Sequence, residues 1–303
     1  MNNKEFILIP EELTIKKPKK EFLRIINNKR FDDKILLQIQ SAFHNIKVVE
    51  NEIGRFLHYK DTYQAGFINT NFYKGNLPYI NYFLIPYLIN PKIKNILLIG
   101  MGSGKIINDF EYLFENLKTI DVIDLEENIV DIAKEFFNFK ESDKFKFILQ
   151  DGITYLRNNR KKYDLIVVDV ANNEGIDLRF LGEDYFNAIK KSLKKDGIFV
   201  SNMCASPDFK NKKNIFFKDF FPIYQQFFKN NLIFKGNYSD KIYYKCFFNI
   251  DERVIDITNV IIISSDKYNK INGKKDLSEK IERLNINIKE YLSDYYKNST
   301  KTV

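Results

Sequence analysis

From residue 95 onward, short runs of apolar residues alternate with stretches in which apolar positions recur every three or four residues. "NILLIG" (95–100), "TIDVID" (119–124), "FKFIL" (145–149), "YDLIVVDV" (163–170) and "GIFVSNM" (197–203) are nearly all apolar, as expected of strands covered on both faces. Ile106, Phe110, Leu113 and Leu117 mark a helix over 106–117, and similar spacing predicts helices over 127–137, 152–158 and 183–194. Five strand–helix units predict an α/β fold with a doubly wound, mostly parallel sheet. After a further helical stretch, 216–229, "KIYYKCFF" (241–248) and "NVIIIS" (259–264) read as two closing strands, bringing the sheet to seven.

Upstream the pattern differs. Residues 1–42 form an N-terminal extension with a lysine-rich "KKPKK" and a helix expected in "FDDKILLQIQSAF" (31–43). Short β-prone runs broken by Gly and Asn over 43–75 predict a small antiparallel β-hairpin domain. "YINYFLIPYL" then reads as a helix leading into a Rossmann-like nucleoside-binding domain over 76–270, and 271–303 as a charged helical tail.

Composition narrows the chemistry. The 303 residues include 28 Phe, 18 Tyr and no Trp, and 44% are hydrophobic, which describes a globular chain. The net charge is +8, but the lysines are spread along the whole chain, which disfavours nucleic acid as a partner. Two cysteines far apart exclude a disulfide framework, and two histidines leave almost no material for a His-based metal site or a Ser-His-Asp triad. No metal is expected. The most apolar segment, 77–90, is too short for a membrane span and contains Pro and Asn, so the expectation is a soluble, cytoplasmic protein.

The candidate chemistry lies at the strand ends. In "GMGSGK" the spacing fails the P-loop pattern, because Ile99 stands where its first Gly belongs and Ile106 follows Lys105. It also fails the dinucleotide pattern, which needs a small residue at Lys105. The remaining GxGxG, with Gly100, Gly102 and Gly104, is the looser turn of nucleoside-binding, methyltransferase-type Rossmann folds. Asp124 ends the second strand, where a carboxylate can accept from both ribose hydroxyls. Asp151, followed by Gly152, ends the third and is placed to accept from an adenine amine, and Asp169 ends the fourth. Any one of these acids alone is better read as a helix cap, but four consecutive strand ends of this kind favour a nucleoside site.

These residues carry a resemblance. GMGSG (100–104), "DLE" (124–126), "DG" (151–152), "YDLIVVD" (163–169) and "LGEDYFNAIKKSLKKDGIFVS" resemble the spermidine synthase (polyamine aminopropyltransferase) family, as does "VVENEIGRFLHYKDTYQ" with Gly54 and Gln64 in register. The resemblance implies a small β domain on a Rossmann-like domain, a homodimer, decarboxylated S-adenosylmethionine (AdoMet) as donor and a small-molecule amine such as putrescine as acceptor. It also implies that Asp124 holds the ribose and Asp151 the adenine amine, that Ser103 lines the donor turn, that Gln64 contacts the nucleoside or polyamine, and that Asp169 orients and deprotonates the attacking amine.

Departures from the family pattern leave the donor open. Ser103 replaces the acid that grips the donor's amine, and neighbouring Lys105 is placed to attract the carboxylate of intact AdoMet. Asn172 replaces the second acid of "D-x-x-D", and Glu174 and Asp177 in the following loop are candidate substitutes for substrate binding. Tyr73 or Tyr79 is the candidate substrate tyrosine. Family weight points to aminopropyl transfer. Charge points to intact AdoMet and so to methyl or aminocarboxypropyl transfer, and a non-catalytic binding scaffold is the third reading.

Overall fold

The computed structural model describes residues 32–52, 54–59, 62–69, 74–170, 178–205, 215–235 and 258–267. Within them two sheets form. Strands β1 (Lys34–Gln40), β2 (Asn45–Asn51), β3 (Gly54–Tyr59), β4 (Thr62–Asn69) and β5 (Lys74–Asn76) make an antiparallel meander in sequence order. A 3-10 helix (Pro78–Leu84) and the short α1 (Pro86–Ile89) then lead to β6 (Asn95–Ile99). The chain continues through α2 (Lys105–Leu113), β7 (Thr119–Asp124), α3 (Ile129–Phe137), β8 (Phe145–Leu149), α4 (Gly152–Asn158), β9 (Tyr163–Val168), α5 (Glu183–Ser192) and β10 (Leu193–Ala205). A π-helical turn (Phe216–Phe220) and α6 (Phe221–Phe227) precede β11 (Asn230–Lys235) and β12 (Thr258–Ser265).

The larger sheet has the order β11-β12-β10-β9-β6-β7-β8, with β12 antiparallel to both its neighbours and the other pairings parallel. Alternate residues of each central strand enter opposite cores. Ile96, Leu98, Leu165 and Val167 pack with the small sheet, the 3-10 helix, α2 and α3. Leu97, Ile99, Ile166 and Val168 pack with α4, α5 and α6. Burial on both faces is the reason these strands read as apolar runs. The Phe-rich 215–228 stretch serves this second core, where Phe216, Phe221, Tyr224 and Phe228 are buried.

Two sequence expectations change, and one strand is added. Residues 34–40 are a strand, not part of a helix, and they pair with β2 through a register shift between Ile35 and Leu37. That irregularity inserts Leu36 and half-buries both leucines, so the doubled apolar pair breaks the alternation that marks a strand. The helix expected from "YINYFLIPYL" is two short pieces, the 3-10 turn and α1, divided at Pro86. β12 lies between β10 and β11, the latter a segment with no element expected from the sequence; the strand expected at "KIYYKCFF" and the 271–303 tail lie outside the described residues.

Candidate active site

The site lies at the carboxyl ends of β6, β7, β8 and β9, where the strand order reverses between β6 and β9. After Ile99 the chain turns through Gly100, Gly102 and Gly104, all in left-handed conformations with φ of 92°, 54° and 71°. Space as well as φ closes two of these positions to a side chain, since a Cβ on Gly100 would overlap the carbonyl oxygen of Asp169 and one on Gly104 would stand 2.9 Å from the buried Phe139 ring. The turn thus lies directly against the fourth strand end. At Gly102 an added Cβ would stand 3.1 Å from the Ala65 methyl, which puts β4 of the small sheet, and with it Gln64, beside the turn. Ser103 is buried within the turn.

Asp124 is built into the same bend. Its Oδ2 accepts from the Met101 amide at 2.8 Å and its Oδ1 from the Glu126 amide at 3.0 Å. Burial pushes its pKa up, and these backbone hydrogen bonds oppose the shift. The Leu125 amide bears on the carboxylate as well, and of its roughly four acceptor sites at least one remains for a hydroxyl. The β8 end is tied in as the Gln150 amide donates to the Asp124 carbonyl at 3.0 Å. Asp151 caps α4: its Oδ1 accepts from the Thr154 amide at 2.8 Å and the Thr154 hydroxyl at 2.9 Å, while Oδ2 lies 3.6 Å from the Arg179 guanidinium. Gly152 follows because a Cβ there would overlap the Ile99 side chain.

Asp169 closes the set. Its Oδ1 accepts from Asn202 Nδ2 at 2.9 Å, and its Oδ2 faces the Tyr79 hydroxyl at 3.4 Å. Burial lifts its pKa to about 6, against the lowering effect of these two neutral donors. Tyr79 is buried on the 3-10 helix with its ring edge-on to Phe83.

The structure therefore brings Gly100, Gly102, Ser103, Gly104, Asp124, Asp151, Gly152 and Asp169 to one sheet edge, with Tyr79 beside it and Gln64 next to Ala65 on β4. Asn172, Glu174, Asp177 and Tyr73 lie outside the described residues. Lys105 does not reach outward as its position suggested. Its ammonium is buried against the Asp109 carboxylate one helical turn on, so the pair is internally neutral. Sequence reasoning also missed four residues. Asn202 bears on Asp169, and its place at the end of a fifth apolar strand was the available signal. His44, Tyr59 and Glu126 border Asp124: Glu126 is 1% exposed and paired with His44 Nδ1, and the His44 ring stacks on Tyr59 at 4.4 Å. Burial, then Asp124 and Glu126, drives the Tyr59 pKa well up. Among the described residues no group of three or more His, Cys, Asp or Glu side chains is placed to hold a metal ion.

Residues 83–229 match the spermine/spermidine synthase domain model. A polyamine aminopropyltransferase of Alkaliphilus oremlandii is 30% identical over 208 residues, covering 64% of this chain and 71% of its own length. The chain belongs to the spermine/spermidine synthase family. A second relative, the polyamine aminopropyltransferase of Clostridium beijerinckii, is 29% identical over 61% of this chain and 65% of its own. The chain thus spans about two thirds of the length of these family members. Solved family structures share the fold. A spermidine synthase in complex with the transition-state analogue AdoDATO aligns with TM-score 0.59 at 15% identity, covering 80% of this chain and 76% of that one. The Thermotoga maritima spermidine synthase aligns with TM-score 0.58 at 15% identity, covering 80% and 75%.

Proposed function

We propose that this protein transfers an aminopropyl group from decarboxylated AdoMet to a small amine of the putrescine–spermidine class. The observation that carries the reading is Asp169, a partly buried carboxylate of raised pKa set against the glycine turn and held by two neutral donors. Family membership supports the same reaction, since the relatives named above are polyamine aminopropyltransferases. In this reading Asp124 receives the ribose hydroxyls, Asp151 sits at the adenine end, and Gln64 and Tyr79 border the acceptor. Asn172 stands at an acceptor-side position of the family pattern, and Glu174 is a candidate substitute for the acid missing there.

The chemistry suits a site with one base. The sulfonium departs as a neutral thioether, so no acid is needed to assist it. What the protein must supply is alignment of the amine behind the S–CH2 bond and removal of one proton. A free amine of pKa near 10 is mostly cationic in water, and an anionic Asp169 both draws it in and takes the proton. Asp169 does this only when ionised, hence above about pH 6. Intact AdoMet loses one of its arguments, because the Lys105 charge is cancelled by Asp109 and is not offered to a donor carboxylate; Ser103 in place of the family's acid is the argument that remains.

The test is incubation with each donor and a panel of di- and triamines, with products read by mass. Aminopropylated amine and methylthioadenosine are expected from the decarboxylated donor. Methylated or aminocarboxypropylated product from intact AdoMet would reverse the assignment. A homodimer, supported by the family resemblance, is expected at twice the chain mass in light scattering. Among the described residues no helix is long and apolar enough to cross a membrane, and we assign the protein to the cytoplasm as part of the same proposal.

A further inference from the structure

The two oxygens of Asp169 are not equivalent. β10 pairs with β9 in parallel with Ser201 opposite Val168, so Asn202 falls beside Asp169 one step further on. Its amide nitrogen donates to Asp169 Oδ1 at 2.9 Å and to Asn259 Oδ1 on β12 at 3.0 Å. Rotating the amide by 180° would aim its oxygen at both of those acceptors, so the network fixes the orientation. The cost is visible: Asn202 Oδ1 is buried with no hydrogen-bond partner. A buried acceptor left unsatisfied beside a buried carboxylate means the geometry of Asn202 serves Asp169 rather than its own hydrogen bonding. Oδ2, by contrast, faces the Tyr79 hydroxyl, a group that both donates and accepts.

We propose that Asn202 is a positioning residue that reserves Oδ1 of Asp169 as an acceptor and thereby directs the proton from the attacking amine onto Oδ2. A proton on Oδ1 would meet the amide N–H head-on, since a carboxamide nitrogen has no lone pair to offer. A proton on Oδ2 is received by a hydroxyl that turns from donor to acceptor. In the step itself the amine lone pair forms the new N–C bond and the S–C bonding pair leaves on sulfur. One N–H bond breaks and an O–H bond forms at Oδ2. This deepens the proposed function and rests on it. Of the titratable groups described at the site, Tyr79 faces Asp169 directly, while Asp124 and Asp151 bond to their own turns.

The experiment measures single-turnover rates against pH for wild type, Asn202→Ala, Asn202→Gln and Asn259→Ala, using decarboxylated AdoMet and putrescine. Losing one hydrogen bond to a charged oxygen raises the Asp169 pKa, so in Asn202→Ala the acidic limb moves up by about one pH unit and rates on that limb fall roughly tenfold. Methylthioadenosine affinity stays within about twofold on this reading, because the donor side is untouched. Asn202→Gln restores part of the shift, and Asn259→Ala reproduces a smaller one. A rate lowered equally at every pH, with the limb in place, would overturn the proposal. A titration of carbon-13-labelled Asp169 runs alongside, in wild type and whichever of the alanine variants folds. If wild type transfers nothing from either donor but the variant's titration still moves upward, the function is wrong and the positioning role stands. If the titration does not move, the role fails whatever the activity.

Discussion

At the residue scale, strand-end acids of the same type do different work because their surroundings differ. Asp151 spends one oxygen on Thr154 as a helix cap, whereas both oxygens of Asp169 meet side-chain donors next to the glycine turn. Asp169→Asn keeps the shape and removes the base, so turnover is expected to fall by roughly 10²–10⁴-fold with donor affinity retained, as steady-state kinetics and calorimetry would read. The same variant separates function from stability. The folded pKa of about 6 lies above the ordinary 3.8, so the folded state binds the proton more tightly than the unfolded one. Wild-type stability therefore declines as pH rises from about 4 to about 6 and stays reduced above it. Melting scans should show Asp169→Asn matching wild type near pH 4 and exceeding it at pH 8. A wild-type advantage at pH 8 would mean that the carboxylate is held by more than the two donors.

At the element scale, the glycine turn and its strands explain what the sequence disclosed. Gly100 faces the Asp169 carbonyl at φ 92°, so Gly100→Ala forces β6 and β9 apart at the site and is expected to cost at least about 2 kcal/mol and abolish methylthioadenosine binding. Gly102→Ala meets only a methyl at 3.1 Å in a left-handed bend and should cost roughly 1 kcal/mol, as chemical denaturation would show. Comparable losses for the two would disprove the ranking. The parallel strands were legible because burial on both faces writes an apolar run into each, and the acids were legible because open α/β sheets place ligands at carboxyl ends. Strand β1 was not, since its bulge doubles Leu36 and Leu37. Nor were Asn202 and Lys105. One acts on a residue 33 positions away, and the other was read as an outward charge although a local partner, Asp109, neutralises it.

At the scale of the whole molecule, the small sheet shares a core with the large one, and a few specific links join them on the donor side. Arg55 donates to the Phe136 carbonyl at the end of α3 at 2.9 Å, and Phe67 meets Phe137 edge-on. The third link matters most for the site. Ser41 Oγ accepts from the Phe43 and His44 amides, fixing the β1–β2 turn so that His44 reaches Glu126 just beyond Asp124. Glu126 is almost wholly enclosed, so removing its partner leaves a carboxylate that water cannot fully compensate. His44→Ala is expected to lose roughly 1–3 kcal/mol and to raise the donor KM more than the amine KM, because the disturbance falls beside Asp124. Glu126→Gln, made alone and in the His44→Ala background, completes the cycle: it removes the stranded charge, so the double variant should be more stable than His44→Ala alone. Arg55→Ala supplies the comparison: it removes the link to Phe136, together with the Glu50 ion pair within the small sheet, without touching the His44–Glu126 pair. If the His44 and Glu126 effects add, with the Arg55→Ala loss comparable, and the donor KM is unchanged in each, the small sheet is merely packed against the nucleoside side. If the His44 and Glu126 effects are non-additive and confined to the donor KM, the cross-sheet pair sets the position of Asp124.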